Sequence, residues 1–295
     1  MTGPSLRSVP RGLDHLVLAV ADLDVAGEHY RRMGFQVGPC NDHPWGTRNR
    51  LIQFPGVFLE LIASGEGTSP PPPPGTFSFA FFVRDFIARH GEGFAMLVLE
   101  SSDAEADRLA FDASGIGGFA PFFFERRGKR PDGSDARVAF TMAFAVSPEI
   151  SQAGFFACQH HEPQNFWAPA LQGHENGADR IKGVTLLADR PSRHIPFFGA
   201  FSGCKVVCAG ERNVAITTPR GAIEVMTPAC FRDVLGIDPG FSLDEGPRLA
   251  AFKVGAPVEG VARLLDRAGI PFHRAKRHLA VAASDNHGVA LVFEG

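Results

Sequence analysis

One pattern recurs four times along the chain and restricts its fold more than any other feature: an apolar strand, an amphipathic helix closed by glycine, then three further strands. In the first copy GLDHLVLAV reads as a strand. Asp22 is placed to cap the helix DLDVAGEHYRRMG, in which Val25, Tyr30 and Met33 fall on or near one side and Gly34 ends the run. FQVG, RLIQF and VFLELIA follow as strands, the last two joined by a tight turn at Pro55–Gly56.

The second copy runs through FAMLVLES, the helix DAEADRLAFDASG, FAPFFFERR, ARVAFTMAFA and GFFACQHH, with PDGSD from Pro131 as its turn. The third reads GVTLLAD, a helical stretch ending at Gly203, CKVVCAGE, NVAITT and GAIEVMT, with a turn at Pro219. The fourth reads RLAAFKVGA, PVEGVARLLDRAG, IPFHRA, HLAVAAS and GVALVFEG. Linkers are expected at the proline run Pro70 to Pro74, a stiff extended spacer, at NGADR after Gln172, and from Gly240 to Gly246.

With 295 residues, 44% of them hydrophobic, there is enough chain for two domains, placed at 1–172 and 173–295. A net charge of −3 without a long run of either sign gives no electrostatic footprint for nucleic acid. No apolar stretch has the length of a signal-peptide core or a bilayer span, so a cytoplasmic protein is expected. Five cysteines, with only Cys204 and Cys208 close in sequence, point to free thiols.

The motifs narrow the fold further. DHLVLAVADLD, a helix closing on GF and a strand reading FLELI resemble the βαβββ unit of the vicinal-oxygen-chelate superfamily. HPWGTRNRLIQF followed by VFLELI, and then GEGFAML and FFACQHHEP, is similar to its glyoxalase-like proteins. The motif resemblance covers Gly12 to Pro163; beyond Ile181 only topology carries it. It implies an α+β fold in which four βαβββ units pair into two barrels. Each pair forms a cleft able to hold a divalent metal on side chains of the first and last strands of its units.

At those places the copies carry His15 and Glu60; Met96 and the Cys158–His160 segment; Gly183 and Glu224; Ala251 and Val292. The C-terminal pair keeps one donor of four, so metal chemistry is expected in the N-terminal pair alone, with Glu224 solvent-facing, protonated or paired with a base. His15 reads either as a ligand or as a core histidine with a hydrogen-bonded partner. Glu60, between Leu59 and Leu61, is a carboxylate whose burial would demand a partner, a proton or a metal. Aligning the last strand by its Gly-Phe start sets Cys158 opposite Glu60 and His160 on the same face, whereas a slip of one residue selects Gln159 and His161. His160 is the preferred third ligand.

His43, Thr47 and Asn49 form a polar cluster that either positions a substrate group or serves local turn chemistry. His43 joins Glu60 as a candidate acid/base, and Thr47 and Asn49 are candidate substrate contacts. Arg126, Arg127, Lys129 and Arg130 read as a solvated hairpin tip. The 27 phenylalanines against one tyrosine, clustered as FSFAFF and FFF, are mostly core, with a minority available to line a cleft.

The resemblance implies a divalent-metal lyase/isomerase or dioxygenase acting on a small molecule with vicinal oxygens, the metal being Zn, Fe, Ni, Co or Mn. The alternative is a metal-free protein that sequesters a hydrophobic small molecule. Extradiol dioxygenases have a similar length but keep their ligands in the C-terminal pair, the one that is empty here. Neither nucleic acid nor membrane is an expected partner, and a homodimer stays open.

Overall fold

The computed structural model describes residues 9–65, 72–129 and 134–295. The chain forms β1 (Leu13–Ala19), α1 (Leu23–Arg32), β2 (Asn41–Asp42), β3 (Thr47–Phe54), β4 (Val57–Ser64) and then α2 (Phe79–His90). The second unit contains β5 (Gly93–Ser101), α3 (Ala104–Ala113), β6 (Phe122–Lys129), β7 (Asp135–Ala145) and β8 (Gly154–His160). The third is β9 (Arg180–Leu187), α4 (Ile195–Ser202), β10 (Val206–Ala209), β11 (Asn213–Thr217) and β12 (Ala222–Met226), followed by α5 (Pro228–Leu235). The last has β13 (Arg248–Gly255), α6 (Val258–Ala268), β14 (His273–Arg274), β15 (His278–Val281) and β16 (Ala290–Glu294).

Two curled eight-stranded sheets result, ordered β2-β3-β4-β1-β5-β8-β7-β6 and β10-β11-β12-β9-β13-β16-β15-β14. In each, the first strands of two units meet antiparallel at the centre, β1 on β5 and β9 on β13, while each first strand runs parallel to the last strand of its own unit. The break read at 172/173 falls between β8 and β9.

The largest described core does not stop at either sheet. It joins one face of both to residues of α1, α3, α4 and α6, including Tyr30, Phe111, Phe198 and Leu265. Across the seam, the buried Arg11 donates to the Asp107 carboxylate and the Phe201 carbonyl, and Arg220 Nη1 lies 2.9 Å from both the Leu13 carbonyl and the Glu100 carboxylate. The opposite, concave faces hold smaller separate clusters, covered by α2 in the first sheet and α5 in the second.

Asp22 caps α1 through the Asp24 and Val25 amides, as its position predicts. Tyr30 and Met33 are buried as expected, with Leu23, Ala26 and Gly27 beside them, whereas Val25 is exposed. FQVG forms no strand. The Gly38 N–H reaches the Leu51 carbonyl, but Pro39 has no N–H to extend the ladder, and the second strand is the short Asn41–Asp42. FSFAFF belongs largely to α2, with Ser78 accepting from the Phe81 amide as its cap. Pro70, Pro71 and Pro131 lie outside the described residues. No helix among the described residues is long and apolar enough to cross a membrane.

Candidate functional site

The first sheet's concave face turns inward a set of polar side chains that an ordinary core strand would not carry. Their placement starts with an irregularity in β1, where the register against β5 shifts between Leu13 and His15. Leu13 and Leu16 both pack into the shared core although two residues separate them, so the bulge at Asp14 breaks strict alternation. Asp14 and His15 are therefore both buried and bonded to each other, His15 Nδ1 to Asp14 Oδ2 at 2.6 Å.

Asp14 also meets His160 Nε2 at 3.0 Å. Burial alone would raise its carboxyl, but the charge of His160 and the hydrogen bonds from His15 and His160 hold it well below the usual carboxylate range. With Nδ1–H donated to Asp14, the His15 ring presents Nε2 as its free lone pair. It faces Glu60 Oε2 across 4.0 Å. The ring is fixed from its flat side by Phe58, stacked at 4.4 Å.

Glu60 is buried, and its other oxygen accepts from Asn49 Nδ2 at 2.5 Å. That amide's second hydrogen points to His43 Nε2 at 3.3 Å, and His43 Nδ1 lies 2.8 Å from Thr47 Oγ1. Since Asn49 Nδ2 can only donate, His43 accepts at Nε2 and carries its proton at Nδ1, bonded to Thr47. Burial is the main reason that His43 sits below the ordinary histidine pKa; at neutral pH it is an uncharged imidazole. The four residues form one chain, Thr47–His43–Asn49–Glu60. Thr47 and Asn49 belong to β3 rather than to a loop, and Thr47 is nearly inaccessible, with its hydroxyl on His43.

His15, His43, Asn49, Glu60 and His160 border a cavity of about 80 Å³ whose other walls include Phe79 of α2, Trp45, Met96, Phe124, Phe140 and Phe156. The FFF cluster contributes Phe124, whereas Phe123 is exposed. Cys158 and His160 line the cavity; Gln159 instead caps α3 through the Ala104 amide, and His161 is exposed beside Thr141. The slipped register is thereby excluded.

His160 lines the same cavity as His15 and Glu60 and shares Asp14 with His15, but the donor atoms of these three do not all lie within 4.8 Å of one another, contrary to the expected ligand triad. Among the described residues, the donors lying within 4.8 Å of one another are Asp14, Cys158 and His160. His160 is stacked flat against Trp167, with Nε2 taken by Asp14. Burial first, then the negative charges of Asp14 and Glu60, pushes the Cys158 thiol well up, so it stays protonated at neutral pH. Ladder register also revises the pairing of units. Glu60 stands two residues beyond Phe58, the partner of His15; Met96 pairs with Gly154, and two residues beyond that is Phe156, not Cys158.

Two participants escape a reading of the sequence. Asp14 is invisible because a bulge cannot be read from alternation, although an aspartate inside an otherwise apolar strand is a signal in itself. Arg126 is exposed, as expected, but it also borders the cavity and donates to Asn41 Oδ1 at 3.0 Å. Arg127 is exposed, Arg130 lies outside the described residues, and the side chain of Lys129 is not described.

Comparison with known proteins gives the same fold. A hypothetical protein from Staphylococcus aureus superimposes with TM-score 0.68 at 12% identity, over 96% of this chain and 99% of that one. The Mn(II)-bound glyoxalase from Novosphingobium aromaticivorans gives 0.57 at 12% identity, over 97% and 82% of the two chains. A mutant 4-hydroxymandelate synthase from Streptomyces coelicolor gives 0.56 at 13%, over 97% and 93%. Curated proteins give no sequence match. The family described as glyoxalase-like domain matches residues 13–198, more than half of the chain. By that match, and by its two curled sheets of paired βαβββ units, the chain belongs to the glyoxalase-like domain family of the vicinal-oxygen-chelate superfamily.

Proposed function

We propose that the N-terminal sheet carries a divalent-metal-dependent lyase, isomerase or dioxygenase site for a small molecule with two neighbouring oxygens. The observation that carries this reading is the opposition of His15 Nε2 and Glu60 Oε2 at 4.0 Å, each held from behind, by Asp14 and Asn49 respectively. Carboxylate-to-histidine support of this kind fixes a ligand's tautomer and direction. The donors are of the right kind for such an ion, one imidazole nitrogen and one carboxylate oxygen, one fewer than the roughly three protein ligands usual at an open catalytic site, with the remaining positions falling to oxygens of water or substrate. His15 and Glu60 would hold it.

A divalent ion there would act as a Lewis acid toward the two oxygens. The chain's own groups do the rest. His43, kept neutral by burial, would take a proton from the bound molecule at Nε2 once that molecule displaces the long Asn49 contact, with Thr47 holding Nδ1–H. Arg126 brings positive charge to the cavity. Trp45 Nε1 and His160 Nδ1 are buried with no partner and line the same cavity, so both can bond a polar group of the substrate. The aromatic walls exclude water and favour an apolar body.

A second reading, metal-free sequestration of a hydrophobic compound, draws on Met96 and Phe156, which occupy the two matching places of the second unit. Calorimetric titration of Mn(II), Zn(II) and Ni(II) into protein purified without added metal separates the two. Wild type should bind, and Glu60→Gln, equal in volume but uncharged, should lose at least about a hundredfold in affinity with an unchanged circular dichroism spectrum. Equal affinity in both proteins favours sequestration.

A further inference from the structure

A second and larger cleft, of about 890 Å³, shares no residue with the site above. Both halves of the chain build it. His29 of α1, His90 and Glu92 come from the first; Phe241, Arg248 and the turn from Ala283 to Gly288 come from the second.

Arg248 is its unusual member. The residue is only 9% exposed, its guanidinium lies 4.4 Å from the Phe241 ring centroid and 5.8 Å from that of Phe86, and Nη2 donates to the His90 carbonyl at 3.3 Å. Its Nε is buried without a partner. No carboxylate among the described residues forms an ion pair with it, while the cleft's own acids are engaged elsewhere. Asp24 pairs with Arg50 at 2.6 Å, Glu28 with Arg31 at 3.5 Å, and Glu92 accepts from His287 and the Ala21 amide. The one carboxylate whose charge reaches it is Glu245, which is exposed, paired with His90 and outside ion-pair distance, so the burial of a guanidinium that cannot shed its proton is only partly compensated unless an anion from outside completes it.

The opposite wall carries strain. His287 is the one non-glycine residue at positive φ among those described, at 49°, and Glu92 holds its ring from across the seam. Gly288 follows at φ 73°, where a Cβ would stand 1.9 Å from the Glu92 carbonyl oxygen. A costly backbone fixed by contacts from the other half marks a surface whose shape is maintained for use.

We propose that this cleft binds a small singly charged carboxylate, its two oxygens on the Arg248 fork and its apolar body against Phe241. The planar fork matches a carboxylate. Asp24, Glu28, Glu92 and Asp285 line the same cleft and oppose a multiply charged phosphate. This assignment is independent of the metal reading.

Benzoate and inorganic phosphate serve as probes, titrated calorimetrically into the full chain, and 4-bromobenzoate is located in wild-type crystals by bromine anomalous scattering. Benzoate should bind and phosphate should not. The bromine should lie beside Phe241, and Arg248→Gln should weaken benzoate by about tenfold or more, the loss expected for a charge-assisted pair. The wild-type bromine position decides the matter even if the variant misfolds. No benzoate binding at millimolar concentration, a bromine elsewhere, or full affinity in folded Arg248→Gln overturns the proposal; tighter phosphate binding overturns the carboxylate assignment.

Discussion

The two sheets share strand order and register, yet their concave faces have diverged. Glu60 and Glu224 hold the same station, two residues beyond the partner of His15 in one sheet and of Gly183 in the other. Glu60 keeps an oxygen turned to His15, whereas Glu224 is neutralised by Lys253 at 2.6 Å. At the station of His15 the second sheet has Gly183, where any Cβ would come within 2.8 Å of the Ala222 carbonyl oxygen. No ligand side chain fits there without moving backbone.

The helices over these faces differ in the same direction. In the first sheet α2 inserts Phe79, Val83 and Phe86 but leaves the polar cavity beneath. In the second, α5 buries Phe231 and Leu235 among Ala250, Ala251, Ala280, Ala290 and Val292. Small residues on the sheet make room for a helix. One face keeps a polar cavity under its helix and the other is filled by its own chain.

The largest expected effect lies on the filled face. Phe231→Ala should cost about 3–5 kcal/mol in urea unfolding, the usual range for emptying a fully buried aromatic site, and leave metal affinity unchanged. A parallel loss of metal affinity would show the halves to be coupled. Next comes Asp14→Asn, which removes the acceptor that fixes the His15 tautomer. Metal affinity should fall about 10–100-fold by calorimetry with Glu60 intact, a typical cost of losing outer-shell support. Unchanged affinity would reduce Asp14 to a structural residue.

Much of this contrast is legible in the sequence, and the exceptions have physical causes. Glu224's basic partner follows from the cost of a half-buried carboxylate, and Lys253 lies on a strand that the repeat already locates. The helix α5 carries its own boundary residues, Thr227 as cap, Pro228 in the first turn and Gly236 at left-handed φ 71°, although the four-copy pattern has no place for it. Helix α2 is masked by its own phenylalanines, although Phe79, Val83 and Phe86 keep a helical spacing. Asp14 illustrates a firmer limit. Which face a residue takes depends on a bulge set by cross-strand pairing, and no local pattern encodes it.

Smaller effects refine the comparison. Lys253→Met should lower stability by about 1–2 kcal/mol, since it leaves Glu224 half-buried without its counter-ion, and chemical denaturation would register it. No loss would mean that the pair is fully screened by solvent. At the seam, burial, followed by the positive charges of His287 and Arg32, pushes His29 down to about 4. The folded chain therefore resists a proton that the unfolded chain accepts below its ordinary pKa of 6.5, so stability present above that value declines as pH falls toward 4. His29→Asn should flatten this decline, by about 2 °C in Tm between pH 7 and 5 when read by thermal melts.

Crystals soaked in Mn(II) distinguish a metal-holding first sheet from a second sheet that only supports it. Anomalous scattering should give a peak between His15 Nε2 and Glu60 Oε2 and none beside Glu224. A peak at Glu224 and Lys253, with nothing between His15 and Glu60, would contradict the account.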